Sequence, residues 1–194
     1  MEEKLTSFEE LLAQILPGAY GVARNLAGNG TDAEDLIQEA ALNAFRAFST
    51  FTPGTNFKAW FYKILTNCHF ERFRRRRPAT VDLEEVTDLY MYKRTAEAGL
   101  HARCDDPAGL VMSKMTTEQV MAAIFGLPEE FQVVATLHFV DDMKYQEIAE
   151  VLECPVGTVR SRLHRARKML QKSLWTIAEQ SGIVNELTTP RTEP

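Results

Sequence analysis

The strongest constraint on this chain is a pair of helical patterns joined by a two-residue connection in its last third. Tyr145-Gln146-Glu147-Ile148-Ala149-Glu150-Val151-Leu152 reads as a short amphipathic helix. Glu153-Cys154 is a tight connection. Pro155 suits the first helical position, because its missing N–H would be unpaired there anyway. Val156, Val159, Leu163, Ala166 and Leu170 then fall on one stripe at about 100° per residue. The opposite face presents Ser161, Arg165 and Lys168, flanked by Arg160, Arg162 and His164. A short helix, a turn and a longer helix with an apolar back and a basic front have helix-turn-helix character. Arginine forms bidentate pairs with guanine in the major groove, and helix N-terminal amides suit phosphate oxygens. Gly157 in the first turn lets a phosphate or a neighbouring helix come close to the backbone.

The net charge of −5 argues against nucleic acid, but its distribution argues for it. Residues 1–50 hold eight acidic and three basic side chains, residues 72–77 hold five arginines, and residues 155–178 hold six basic side chains and no acid. DNA responds to the local field rather than to the average. At 194 residues the chain is long enough for one domain of average size or two small ones. No apolar run approaches the ~18–20 residues needed to cross a bilayer, and Met1-Glu2-Glu3-Lys4 does not begin a signal peptide. The reading is a cytoplasmic protein with no membrane insertion. Three widely spaced cysteines, Cys68, Cys104 and Cys154, do not form a disulfide framework.

Helical periodicity also runs through the first third. Phe8 to Ala27 carries apolar residues at helical spacing, with Pro17-Gly18 as a candidate interruption. Thr31-Asp32-Ala33-Glu34 is a capping-box pattern that opens a helix running to about Phe48. Pro53-Gly54 makes residues 51–56 a loop, and a long helix follows from about Phe57 to Arg76. Residues 79–112 carry seven acids against three basic residues and no clean period, and Pro107-Ala108-Gly109 breaks any order. They read as a linker of low intrinsic structure. Helices return over about 117–126, 128–140, 144–152 and 155–178, and the Pro/Thr-rich residues 188–194 read as a disordered tail. The fold class is therefore all-α: two small helical domains, 1–78 and 113–187, joined by a flexible acidic linker, the second domain a helix-turn-helix.

Nine of the eighteen aromatic residues lie within residues 45–73, directly before the arginine run. Rings that stack on bases beside cations that meet phosphates make a platform for single-stranded DNA. On the long helix Phe57, Phe61, Leu65 and Cys68 share a face assigned to core, whereas Trp60, Lys63, Ile64, Asn67 and Arg74 share a candidate DNA face. Asp32, Asp35 and Glu39 lie along one side of the preceding helix with Gln38 beside them. Taken alone, they read as a solvated face.

Four segments together resemble a known family. They are Asp32-Ala33-Glu34-Asp35-Leu36-Ile37-Gln38-Glu39-Ala40, Ala59-Trp60-Phe61-Tyr62-Lys63-Ile64-Leu65-Thr66-Asn67, Leu127-Pro128-Glu129-Glu130, and Cys154-Pro155-Val156-Gly157-Thr158-Val159-Arg160-Ser161-Arg162-Leu163-His164-Arg165-Ala166-Arg167. Over about residues 8–175 the chain resembles an extracytoplasmic-function sigma factor of bacterial RNA polymerase. The resemblance implies a protein that binds core polymerase, recognises −35 and −10 promoter elements, melts the −10 region and starts transcription of stress-response genes. It implies that Asp32, Asp35, Gln38 and Glu39 dock on the clamp helices of the largest subunit, and that the second domain meets the flap of the second-largest subunit. It assigns the −10 element to Phe51, Asn56, Phe57, Trp60, Lys63, Asn67, Arg74 and Arg75. The −35 element falls to Pro155, Gly157, Thr158, Arg160, Ser161, His164, Arg165 and Lys168. The acidic linker would thread the polymerase channel, and an anti-sigma protein is the implied regulator. Gly54 to Trp60 and the stretch from Ser161 to Ile183 look most like the branch that answers thiol-oxidative stress. Members often carry Ser or Thr at the position of Cys154, which predicts a weaker cap here.

Two rivals make different demands. A dimeric helix-turn-helix regulator predicts palindromic half-sites, but gives the aromatic cluster and acidic linker no task. An enzyme has no P-loop, GxSxG or HExxH motif to work with. Cys68-His69 and His101-x-x-Cys104 could supply four zinc ligands. With Cys68 on a core face and the second pair in the linker, an inert core thiol and a surface pair are the favoured reading, so no metal and no cofactor are assigned.

Overall fold

The computed structural model describes residues 2–76, 90–102 and 106–188. Ten α-helices and two short 3₁₀ turns make up the described residues, with no strand among them. The chain divides into two compact units. The first comprises residues 1–81 and 128–163, and the second comprises residues 82–127 and 164–194.

In the first unit, α1 (Glu2–Ala27), α2 (Gly30–Ala47) and α3 (Phe57–Arg76) pack together with α7 (Glu129–Phe139), α8 (Tyr145–Val151) and the first turns of α9 (Val156–Gln180). Pro17 does not break α1. It lies on the exposed side, where water can satisfy the carbonyl that loses its partner. Asn29, not Thr31, caps α2: its extended backbone (φ −144°, ψ 165°) lets Oδ1 accept from the Asp32 N–H at 2.9 Å. Gly28 at φ +83° makes the reversal that brings Asn29 into place. The core of this unit holds Phe61, Tyr62 and Leu65 of α3, Leu36 of α2, Val22 of α1, and Leu137 and Ile148 of the C-terminal helices, each at most 1 % exposed. α3 buries side chains on more than one side because α1, α2 and α8 all pack on it.

The second unit contains α4 (Tyr90–Glu97), α5 (Pro107–Ser113), α6 (Thr117–Phe125), the remainder of α9 and α10 (Ile183–Thr188). The expectation of little intrinsic structure across 79–112 is corrected for α4 and α5. Pro107 does not break order but occupies the first turn of α5, and Asp106 caps it by accepting from the Gly109 N–H at 2.9 Å. α4 carries only a short apolar edge, and its order comes from tertiary contact. Arg94 pairs with Glu179 and lies over the Trp175 ring at 5.5 Å, and the Met91 N–H donates to Gln171 at 3.4 Å. Such pairings are invisible to a local window. α10 was likewise not anticipated. Its Ile183 and Val184 are buried, and the acid of its first turn, Glu186, pairs with Lys114 at 3.0 Å. Cys104 and residues 189–194, part of the predicted tail, lie outside the described residues.

Candidate nucleic-acid interface

The loop before α3 is built by aromatic packing. Phe48 and Phe51 stack at 5.8 Å with an interplanar angle of 11°. Phe57 meets Phe51 edge-on at 5.3 Å, and Trp60 lies 5.4 Å from Phe51 and 5.6 Å from Phe57. These rings fix both ends of residues 51–56, while Thr52 and Thr55 close the tip with a backbone bond of 3.2 Å. Gly54 sits there at φ +87° with open space around its α-carbon. Beside the loop is a cleft of about 590 Å³ lined by Ser7 and Leu11 of α1, Phe48, Phe51 and Pro53–Thr55. The cleft is apolar on its walls and open at its mouth, which suits an unstacked base. Sequence reasoning missed Ser7 and Leu11, because nothing in a local pattern brings α1 to this loop.

Several residues assigned to the −10 element also have structural work. Phe57 is 6 % exposed, so its ring belongs to the core and shapes the loop. The Asn56 side chain accepts from the Ala59 N–H at 3.1 Å and caps α3. Trp60 and Phe51 are half-buried, each with part of its surface open. Lys63, Asn67 and Arg74 follow Trp60 along one side of α3; Asn67 and Arg74 are exposed, and Lys63 is paired with Glu153 at 2.7 Å. Arg75 lies in α3, but its side chain is outside the described residues.

The α2 face is partly engaged within the chain. Arg72 of α3 pairs with Glu39 at 2.6 Å and donates to the Asp35 carbonyl at 2.9 Å, bracing α3 on α2. Asp35 and Gln38 are exposed. Asp32 is half-buried and accepts from the Asn29 amide at 2.9 Å. In the sequence Arg72 is one of an arginine run, and nothing local signals its bracing role.

The helix-turn-helix forms as its pattern predicts. The Cys154 N–H donates to the Ala149 carbonyl at 3.1 Å, and Glu153 turns the chain at φ +48°. The Pro155 carbonyl accepts from the Thr158 N–H at 2.8 Å, placing Pro155 immediately before α9. Val159, Leu163 and Ala166 are completely buried. Pro155, Gly157, Arg160, Ser161, His164 and Arg165 are exposed, and Thr158 and Lys168 are half-buried. A Cβ on Gly157 would meet nothing within 4 Å, so within the chain no close packing demands glycine there.

His69 and Glu129 approach to 4.0 Å inside the first unit. Burial, with the Arg72 charge adding to it, holds the His69 pKa at about 4, so the ring is neutral at physiological pH and this contact is not an ion pair. Burial also pushes the Glu129 carboxyl up. Cys68 is buried, its thiol pushed up by burial, and accepts from Asn43 at 3.4 Å, as an inert core thiol would. Among the described residues no group of three or more His, Cys, Asp or Glu side chains could hold a metal ion.

An apolar cleft thus lies beside the loop before α3, Asn67 and Arg74 are exposed on α3, and the helix-turn-helix turns a basic front outward. Family comparison makes this specific. Residues 11–79 match sigma-70 region 2, and residues 117–170 match sigma-70 region 4. The chain is 31 % identical over 158 residues to the ECF RNA polymerase sigma factor SigW of Bacillus subtilis, covering 80 % of this chain and 82 % of that protein. It is 32 % identical over 145 residues to the ECF RNA polymerase sigma-E factor of Escherichia coli K12, covering 74 % of each. Its fold is similar to that of the sigma factor RpoE solved with the anti-sigma factor NepR from Bartonella quintana. The TM-score is 0.63 at 22 % identity, over 87 % of this chain and 97 % of that one. The chain belongs to the ECF sigma factors, a family of promoter-recognition proteins rather than enzymes. No helix of the described residues is long and apolar enough to cross a membrane.

Proposed function

We propose that this sigma factor works as a two-headed adaptor in the cytoplasm. Residues 1–78 dock on core polymerase and capture the −10 element, residues 79–112 connect, and residues 113–187 read the −35 element. Asp32, Asp35, Gln38 and Glu39 offer α2 to a basic surface on the largest subunit. The cleft beside Phe51 takes a base flipped from the non-template strand, with Trp60, Asn67, Arg74 and Arg75 along its path. Arg160, Ser161, His164, Arg165 and Lys168 enter the major groove, while Gly157 and the first amides of α9 approach a phosphate. An anti-sigma protein is the proposed regulator and stress genes the proposed targets. The solved RpoE complex supports the first of these by analogy of fold alone.

The single observation that carries this reading is the division of α9 into a buried stripe at Val159, Leu163 and Ala166 and an exposed polar front at Arg160, Ser161, His164 and Arg165. Run-off transcription with purified core polymerase, with and without this chain, tests it. The expected result is chain-dependent transcripts from discrete start sites, whose upstream sequences align at two elements. Absence of transcripts, together with tight duplex binding by the isolated chain, would instead make it a polymerase-independent regulator.

A further inference from the structure

The cleft beside the loop before α3 has two walls of different origin. One is the loop itself, from Phe48 to Thr55, and the other is the beginning of α1, through Ser7 and Leu11. Four residues apart on a helix, Ser7 and Leu11 share a face. The adjacent Phe8 pins that part of α1 to the base of the loop: its buried ring meets Phe45 at 5.5 Å, Phe48 at 5.2 Å and Phe57 at 6.0 Å, each edge-on. Stacking holds a base in such a cleft without telling one base from another, because every base has a π-face. Identity is read by groups that meet the base edge. The loop has few to give. The Thr55 hydroxyl donates to the Thr52 carbonyl at 2.7 Å, so it can only accept from a base. That carbonyl also takes the Thr55 N–H at 3.2 Å, which fills both its lone pairs. The Asn56 oxygen is engaged by the Ala59 N–H, and Pro53 has no N–H to offer. Ser7 is exposed and brings a hydroxyl that both donates and accepts. Leu11 is half-buried and brings an apolar surface that suits a ring or a methyl group but leaves an amino or carbonyl group unpaired. Ser49, in the turn that opens the loop, is the rival reader.

We propose that the beginning of α1 determines which base the cleft accepts, Ser7 meeting the polar edge of the unpaired base and Leu11 limiting what fits beside it. Phe8 is a positioning residue for both. The proposal rests on the reading of this cleft as the −10 base site. Ser7 lies ahead of residue 11, where the match to sigma-70 region 2 begins, and neither Ser7 nor Leu11 is among the residues that the family resemblance assigns to DNA. Two chains with the same loop can therefore prefer different bases, according to the helix that faces it.

The test uses holoenzyme reconstituted with core polymerase on promoter templates already unpaired across the −10 element, with each of the four bases placed in turn at each position. Template affinity and transcript yield are compared for the wild-type chain, Ser7→Ala, Ser7→Trp, Leu11→Ala and Ser49→Ala. Ser7→Ala is expected to compress the preference among bases about fivefold at a single position, the share of one hydrogen bond, and to leave the other positions unmoved. Ser7→Trp fills the cleft and is expected to lower affinity for the unpaired template on the order of 10- to 100-fold, the share of one stacked base. Leu11→Ala is expected to admit bases that the wild type refuses at that same position. Ser7 is exposed, so its variants should keep wild-type helicity and duplex −35 binding, and they decide the matter if Leu11→Ala loses helicity. An unchanged base profile in both Ser7 variants would overturn the proposal, as would a shift produced by Ser49→Ala alone. Absence of any base preference at −10 in the wild-type holoenzyme would instead overturn the reading of the cleft as a base site, a result visible before any variant is compared.

Discussion

On α9 the residues that pack and the residues assigned to DNA are different residues: Val159, Leu163 and Ala166 face inward, and Arg160, Ser161, His164 and Arg165 face out. On α3 the two roles overlap. Phe57 is buried, Asn56 caps the helix that it helps to present, Trp60 is part of an aromatic cluster, and Lys63 already holds a carboxylate. A major-groove reader works from one side of a rigid rod, so packing and reading can be placed on opposite faces. A site for an unstacked base needs a shaped cleft, and the residues that shape it are necessarily shared with the core. Substitutions should therefore separate stability from DNA recognition on α9 and fail to do so on α3.

The largest effect is expected from Phe57→Ala. Truncating a buried ring costs about 3–5 kcal/mol, and urea denaturation should register that loss together with loss of −10 recognition. A cost below about 1 kcal/mol, with −10 recognition still lost, would make Phe57 a reader rather than a core residue and bring α3 closer to the pattern of α9.

Next comes the acid sensitivity of α3. His69 is held neutral with a pKa of about 4, whereas an unfolded chain takes up that proton near 6.5. Its contribution is thus retained above pH 6.5 and lost as the pH falls from 6.5 to 4. At about 1.4 kcal/mol per pKa unit the loss is about 3 kcal/mol. His69→Leu should flatten the stability curve over that window. An unchanged slope would mean that other groups set the acid limit.

The smallest and most selective effect belongs to α9. Arg165→Ala should weaken −35 binding by about 1–3 kcal/mol and relax one base position, if the arginine meets a guanine. Chemical denaturation should move by no more than about 0.5 kcal/mol, since Arg165 is exposed. A larger loss of stability would erase the contrast between the two helices.

The same contrast explains which features are legible in the sequence. The α9 pattern, the turn at Glu153-Cys154 and the span of α3 were legible because periodicity and breakers are local signals. The caps were less so: Thr31 had the right chemistry, but Asn29 held the right backbone after Gly28. α4 and α10 carry no local signal because their order depends on pairings such as Arg94 with Glu179 and Lys114 with Glu186, 85 and 72 residues apart. Arg72 looked like one cation among five, and only packing singled it out to brace α2. Ser7 and Leu11 entered the cleft through the fold of α1, which no spacing rule reports.

Where α7 packs on α1, Gln132 and Thr136 donate hydrogen bonds to Asn25, 107 and 111 positions away. On the ribosome the first three helices are complete when Arg76 has been made, but their partner surface ends only with Leu163. At roughly 5–20 residues per second, several seconds separate those moments. For that interval every newborn copy presents its α1 and α3 surfaces uncovered, so the timing of synthesis, as well as any signal in the cell, determines how long this half of the chain is open to a partner.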